Sequence, residues 1–381
     1  MKTVIFKDVV RRANTKEDRF NTEKIYYVGG EHIESNELLV KEKGIIAGST
    51  IGPMFYFGFR AGQILFVTRN PHLRKAAMVE FDGICSEKTL VLETIDPSIL
   101  SQEYLATIMQ SDHFWRYCEE HKSGGVNYFI NWSTLANYEF ELPPLDRQIS
   151  LSKKIWSAYR LKEGYKRLLA ATDEMVKSQF IEMFGNPLSL KQKNELKKLG
   201  ECCILNPRRP NIALCDTGKV SFVPMSAISE DGYLIGMTEE EYGKVKKGFT
   251  YFENNDVLFA KITPCMENGK GAIAQGLTNG IGMGSTEFHV LRPIDGVSSS
   301  YWLLALTRMP IFRERAAKNM SGTGGQKRVG ASYLEYFMVG LPTIEEQRHF
   351  EVIYKQADKS KFELKQCIEN IDKVIKSLIN G

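Results

Sequence analysis

The chain repeats itself, and each copy ends in the same short phrase followed by a long amphipathic tract. Leu142-Pro143-Pro144-Leu145-Asp146-Arg147-Gln148 returns 199 residues later as Leu341-Pro342-Thr343-Ile344-Glu345-Glu346-Gln347. Upstream, Ser123-Gly124-Gly125 answers Thr323-Gly324-Gly325, Gly62-Gln63-Ile64-Leu65-Phe66 answers Asn255-Asp256-Val257-Leu258-Phe259, and Val91-Leu92 answers Val290-Leu291. A period this long exceeds any solenoid unit and therefore means two whole modules with their tails. At 381 residues, each module is large enough to bury a core of its own.

After each phrase the hydrophobic period becomes seven. Phe350, Ile353, Ala357, Ser360, Leu364, Cys367, Ile371, Val374 and Leu378 alternate spacings of three and four, the pattern of a coiled-coil seam. In the central tract Leu151, Ala158, Leu161, Tyr165, Leu168, Thr172 and Met175 keep the rhythm, and Leu169, Val176 and Met183 widen the stripe. The seam expected from this count runs through Leu161, Leu168, Met175, Ile353, Leu364, Ile371, Val374 and Leu378. Thr343 and Glu346 stand at capping-box spacing, and Gly185-Asn186-Pro187 reads as a helix stop. Each helix is about 35 residues, hence about 52 Å long. Matched lengths make the two natural partners, and a chain that runs out to the second module and returns would pair them antiparallel. Packing on their own modules, or pairing between two copies of the chain, would write a similar pattern.

The modules read as α+β. Short β-branched and aromatic runs such as Ile64-Leu65-Phe66-Val67-Thr68 and Thr89-Leu90-Val91-Leu92 do not alternate regularly with helices. One helix is expected from about Pro97 to Lys122, repeated from Tyr301 through Phe312. The resulting organisation is a first module at 1–144, a central helix at 145–185, a second module at 186–342 and a second long helix at 343–381. A hydrophobic share of 43% with 25% charged residues suits a soluble protein. The charged Met1-Lys2-Thr3 start is not that of a signal peptide, and no apolar run approaches the roughly 20 residues of a membrane helix. Seven cysteines without a Cys-x-x-Cys pair fit reduced thiols in a cytoplasm.

Signatures of chemistry are missing. Pro143-Pro144 lacks the preceding Asn or Asp and the following aromatic residue that an amino-methyltransferase loop needs. Gly280-x-Gly282-x-Gly284 does not have dinucleotide spacing, and there is no phosphate-binding Gly-x4-Gly-Lys-Ser/Thr loop. Asp256 with Lys261 is only a fragment of a nuclease motif, because Phe259 stands where an acidic residue is needed. The six histidines show no metal spacing, and His32 beside Glu31 and Glu34 reads as a surface turn. The expectation is a non-catalytic chain with no cofactor and no metal.

What remains is a binding surface. Net charge is only +4, so a nucleic-acid binder would need its cations gathered locally. The stretches before each Leu-Pro phrase are glycine-rich and full of donors, and asparagine, glutamine, lysine and arginine are the side chains that read purine edges. The candidate DNA-binding set is Arg11, Arg12, Arg74, Lys75, Lys122, Asn127, Tyr128 and Asn131 in the first copy. In the second it is Arg208, Arg209, Lys261, Gln326, Lys327 and Arg328. Plain turn chemistry accounts for the glycines equally well.

Two variable modules, each closing in Gly-Gly…Leu-Pro…Gln before a long helix, resemble the specificity subunit of type I restriction–modification systems. The resemblance spans essentially the whole chain and is strongest at Leu142–Gln148, Leu341–Gln347 and Phe184-Gly185-Asn186-Pro187. It implies two target recognition domains, each reading half of a split, asymmetric site in double-stranded DNA. It implies helices that act as a spacer and as a platform for modification (methyltransferase) subunits, with a restriction (endonuclease/translocase) subunit supplying cleavage. A non-catalytic protein-interaction scaffold built from duplicated α+β modules is the competing reading.

Overall fold

The computed structural model describes residues 2–186, 194–323 and 325–381. Pro187 of the expected helix stop and Gly324 of the expected glycine pair lie outside them. The chain divides into two compact units, Met1–Arg167 with Leu364–Gly381, and Leu168–Glu363. The division crosses both long helices, Leu145–Phe184 and Ile344–Asn380, so each unit owns a segment of each.

Among the described residues the first unit holds two four-stranded sheets and a two-stranded one. One sheet has the order Val10–Ala13, Thr89–Thr94, Ile64–Val67, Ala76–Met78; the other runs Gly44–Ile45, Tyr26–Val28, Gly83–Ser86, Phe55–Phe59. The second unit repeats both orders strand for strand, as Cys203–Leu205, Phe288–Pro293, Val257–Ala260, Gly271–Ile273 and as Thr238–Glu241, Lys219–Val223, Ile281–Gly284, Thr250–Glu253. A parallel strand pairing recurs as well, Tyr26–Val28 on Gly83–Ser86 and Lys219–Val223 on Ile281–Gly284. The equivalences read from sequence match at the level of register: Ile64 faces Leu92, and Val257 faces Leu291. Both units are therefore α+β, as expected.

The helix expected over Pro97–Lys122 is two helices, Gln102–Ile108 and Asp112–Glu120. Ser111 interrupts it by accepting the Phe114 amide and starting a second turn, while the apolar stripe continues unbroken across the join. The second unit is split likewise, into Ser300–Arg308 and Pro310–Lys318, because Pro310 sets a new N-terminus. These helices cover the first-named sheet of each unit. Trp115, stacked on Phe66 at 5.7 Å, and Trp302 are fully buried, and each contributes about 2–3 kcal/mol over leaving it exposed.

The closing glutamine of each repeat explains the signature phrase. Gln148 is wholly buried, accepts the Ser101 amide at 3.0 Å and donates to the carbonyls of Ile99 and Pro143 at 2.8 and 2.9 Å. Gln347 does the same with Ser299, Val297 and Pro342, at 2.8, 2.9 and 3.0 Å. Each glutamine ties the first turn of a long helix to the loop that starts the module's helix pair. Thr343 and Glu346 form the expected capping box, with the Thr343 amide donating to Glu346 and the Glu346 amide to Thr343 Oγ1.

The buried stripe of the long helices differs from the one counted in sequence. Leu161, Leu168, Met175 and Val374 are about half exposed. In the first unit Ile155, Tyr159 and Lys162 are buried instead, with Ile371, Ile375 and Leu378 in or against the same core. In the second unit Val176, Phe180 and Phe184 pack with Phe350, Tyr354 and Ala357. Ile353 and Leu364 are half-buried. The physical reason is that each helix must face both its partner and its own module; Trp156, for example, donates its indole N–H to the Glu103 carbonyl. A stripe widened in this way has its centre one position away from the a/d count. Within each unit the pairing runs antiparallel, Lys162 meeting Asp372 in the first and Asp173 meeting Lys361 in the second.

Candidate nucleic-acid interface

Each unit brings two loops together at the end of its helix-covered sheet. In the first, the Asn70 amide donates to the Tyr128 carbonyl at 2.9 Å and the Ile130 amide to the Thr68 carbonyl at 3.0 Å. In the second, the Thr263 amide donates to the Lys327 carbonyl at 3.0 Å and the Val329 amide to the Lys261 carbonyl at 2.9 Å. Tyr128 and Lys327 therefore occupy the same place, as do Thr68 and Lys261.

The glycine-rich loop closes on itself in both. Ser123 and Phe129 exchange backbone hydrogen bonds at 2.8 and 2.9 Å, and Met320–Ser321 pairs with Arg328–Val329. Gly124 at φ +102° and Gly322 at φ +134° begin the two loops, and a Cβ on either would meet the Asn127 or Gln326 carbonyl oxygen at 2.6 or 2.5 Å. The structural counterpart of Ser123-Gly124 is thus Ser321-Gly322, two residues earlier than the sequence alignment placed it; the second loop is longer by one residue, and a glycine in each hid the slip.

Several of the expected residues gather here. In the first unit Lys122 lies 4.4 Å over the Tyr128 ring while paired with Glu119, and Asn127 is exposed. Asn131 is exposed at the N-cap of Trp132–Leu135, where its carbonyl, not its side chain, accepts the capping bonds. Arg74 and Lys75 are not gathered there: Arg74 pairs at 2.6 Å with Asp112, whose amide is held by Asn380, and Lys75 donates to the Gly30 carbonyl. Arg69, which sequence reasoning missed, lies 5.3 Å over the Phe129 ring; the aromatic neighbour sixty residues away gave no local signal. In the second unit Gln326 and Lys327 are exposed, and Arg328 forms a forked pair with Glu287 at 2.8 and 2.9 Å. The Arg328 bond and burial act oppositely on Glu287, and the former prevails, holding its carboxyl below the usual range. Lys261 adds its charge beside the same carboxylate, and its own amide donates to the Glu287 carbonyl.

The remaining candidates sit elsewhere. Arg11 pairs with Glu93 at 2.8 Å on the strand Val10–Ala13, and Arg12 lies 5.0 Å over Phe57. Arg209 donates to the Lys246 carbonyl beside Tyr242, and Arg208 is exposed on the same turn. Among the described residues no cluster of three or more histidine, cysteine, aspartate or glutamate side chains could hold a metal ion. None of their helices is long and apolar enough to cross a membrane.

Two closed, donor-rich loops on duplicated α+β units suit recognition of an extended ligand. Comparison with known proteins agrees. Residues 191–372 match the family described as type I restriction modification DNA specificity domain. The second half of the chain is similar to such a domain. The resemblance of the chain to type I specificity subunits is therefore upheld. Over 144 residues, 37% of this chain and 24% of the relative, it is 41% identical to the type I restriction enzyme EcoAI specificity subunit of Escherichia coli. Over 197 residues, 49% of this chain and 32% of the relative, it is 35% identical to the EcoEI specificity subunit of the same organism. The chain thus matches about a quarter to a third of the length of these relatives. The fold is shared with solved structures over 99% of the chain. One, from work on complex assembly and conformational transition of the type I R-M system, has 18% identity over 96% of its own length and a TM-score of 0.56. Another, a type I restriction–modification system S subunit from M. genitalium, has 11% identity over 95% and a TM-score of 0.57.

Proposed function

We propose that this chain is the non-catalytic, sequence-specific DNA-binding subunit of a type I restriction–modification complex, with recognition domains at 1–144 and 186–342 and helical spacers at 145–185 and 343–381. The observation that carries the reading is the duplication itself: the same loop pair recurs with different side chains, Tyr128 in one unit and Lys327 in the other. Readers of one design but unlike chemistry should recognise unlike half-sites, giving a bipartite, asymmetric target with an unread spacer. Base-reading groups need to be free of internal partners, which favours Asn127, Gln326 and Lys327 over Arg328 for direct contact. The half-exposed Leu161, Leu168, Met175 and Val374 leave apolar surface on the long helices for methyltransferase subunits to cover. A restriction subunit would join that assembly, and the chain would act in the cytoplasm.

The test is the methylated motif in a host that carries this chain with its methyltransferase partner. Two dissimilar half-sequences at a fixed separation are expected. Exchanging residues 186–342 for the corresponding module of another specificity subunit should change one half and leave the other. A single uninterrupted motif, or both halves changing together, rejects the reading.

A further inference from the structure

Each loop pair sets one arginine opposite one apolar residue, with the sides exchanged between the units. In the first, Arg69 faces Phe129 across an antiparallel bridge; in the second, Ile262 faces Arg328. Arg69 thus belongs to the loop that follows the strand Ile64–Val67, whereas Arg328 closes the glycine-rich loop.

The two arginines meet different surroundings. The Thr68 amide donates to the Lys88 carbonyl at 2.8 Å and the Lys261 amide to the Glu287 carbonyl at 2.9 Å, so Lys88 holds the position of Glu287. Glu287 claims the Arg328 guanidinium in a forked pair, while the cation in its place cannot claim Arg69. Glu87, one residue earlier, lies within electrostatic reach of Arg69, but its carboxylate accepts from Lys88 and from the Tyr56 hydroxyl. Glu119, just before the glycine-rich loop, is paired with Lys122. Among the described residues no ion pair or hydrogen bond engages the Arg69 guanidinium. What it has is the Phe129 ring, 5.3 Å from the guanidinium carbon. Such stacking occupies the flat face of the guanidinium and leaves the N–H groups along its edge unspent.

Beside a duplex, a cation can meet a phosphate or a base edge. Guanine offers O6 and N7 together in the major groove, and the arginine fork matches both at once. Arg69 is half-buried at the junction of the two loops, and its stack orders the fork before DNA arrives. Ordering in advance lowers the entropic cost of a two-bond contact, whereas attraction to a phosphate needs charge alone.

We propose that Arg69 is the guanine-reading residue of the first module, an assignment that rests on the DNA-recognition function proposed above. The second module has no such reader at this position, because Ile262 carries no donor. The test uses the full chain assembled with its methyltransferase partner, following the methylated motif and the affinity for duplexes that carry each base pair in turn. The half-site of the first module is the one left unchanged when residues 186–342 are exchanged. In the parent, one position of it should require a G·C pair. Arg69→Ala should lower that preference about tenfold or more and leave the second half-site as in the parent. Arg69→Gln, which exchanges the guanidinium for an amide, should lose the guanine preference likewise, and it decides the matter should Arg69→Ala fail to fold. A parent motif without two halves would overturn the function itself and this assignment with it. With a bipartite parent motif, the assignment alone is overturned by any of three results: a first half-site without a G·C position, an undiminished guanine requirement in the variants, or affinity that falls equally for all base pairs. The last of these marks a phosphate contact.

Discussion

Lys162 stands 2.9 Å from Asp372, and 199 residues along the repeat Lys361 and Asp173 make the same bond at 3.0 Å with the two long helices exchanged. Lysine and aspartate have traded helices between the two units. Both lysines are almost fully buried, at 5% and 3% exposure, so these are not solvated decorations of a helix surface. Around each pair the module adds a tyrosine–carboxylate hydrogen bond, again with the roles reversed. Tyr159 of the helix donates to Glu37 of the module at 2.6 Å, whereas Tyr233 of the module donates to Asp358 of the helix.

Glu37 is the most consequential member of this network in the first unit. Burial alone would raise its pKa, but the Tyr159 hydroxyl and the ammoniums of Lys162, Lys41 and Lys166 override it and hold the carboxyl at about 2. A depressed carboxylate stabilises the fold above its unfolded pKa, near 4.5, and loses that contribution as pH falls toward 2. Glu37→Gln should cost about 3 kcal/mol in urea unfolding at neutral pH, because it strands buried cations. The parent should then lose more stability than the variant between pH 5 and pH 2. Parallel pH profiles for the two proteins would contradict the assignment.

Gln148 and Gln347 should behave as structural clamps. Truncation to alanine strands one amide and two carbonyls in each unit, none reachable by water while the site stays closed. Each variant should lose about 2–4 kcal/mol in denaturant unfolding. Glutamate at the same positions should do no better, since it accepts the serine amide but cannot donate to two carbonyls. Unfolding midpoints equal to that of the parent would show that the phrase is kept for another reason.

The duplication, the α+β modules and the long helices were legible because they rest on periodicity, which a chain displays in one dimension. The Glu37 network was not, since its partners Tyr159 and Lys162 lie more than a hundred residues away and nothing local marks a glutamate for burial. The seam was misplaced by one position for a related reason: Leu161, Leu168 and Met175 fit a heptad as well as the buried residues do, and only the second burden on the helix, its own module, decides between stripes. Cationic clusters located the loops, but not which charges are spent internally. Arg328 next to Lys327 reads as one basic patch, yet Glu287 claims the first and leaves the second exposed.

Gly124 and Gly322 hold backbone conformations that side chains rarely adopt, and a methyl on either collides with a carbonyl oxygen across the loop. Alanine at either site should cost about 1–3 kcal/mol locally and displace the donors the loop carries. Because each loop belongs to one unit, Gly124→Ala should impair recognition of one half-site and Gly322→Ala the other, measured as DNA affinity on targets altered in a single half. Equal losses on both targets would argue against separate readers.

The contrast between Lys327 and Arg328 gives the sharpest test of the interface. Lys327 is exposed and its backbone alone is tied, to Thr263, so its ammonium is available to a phosphate or a base edge. Lys327→Ala should leave stability within about 0.5 kcal/mol of the parent. Its effect should fall on DNA binding by the assembled complex, lowering the slope of log affinity against log salt by about one if the contact is to phosphate. Arg328 is instead the partner that keeps Glu287 ionised and the two strands of the loop base in register. Arg328→Ala should therefore lower the melting temperature, and combining it with Glu287→Gln should recover part of that loss by removing the stranded carboxylate. Binding curves over a salt series that are identical for Lys327→Ala and the parent would remove this loop from the interface.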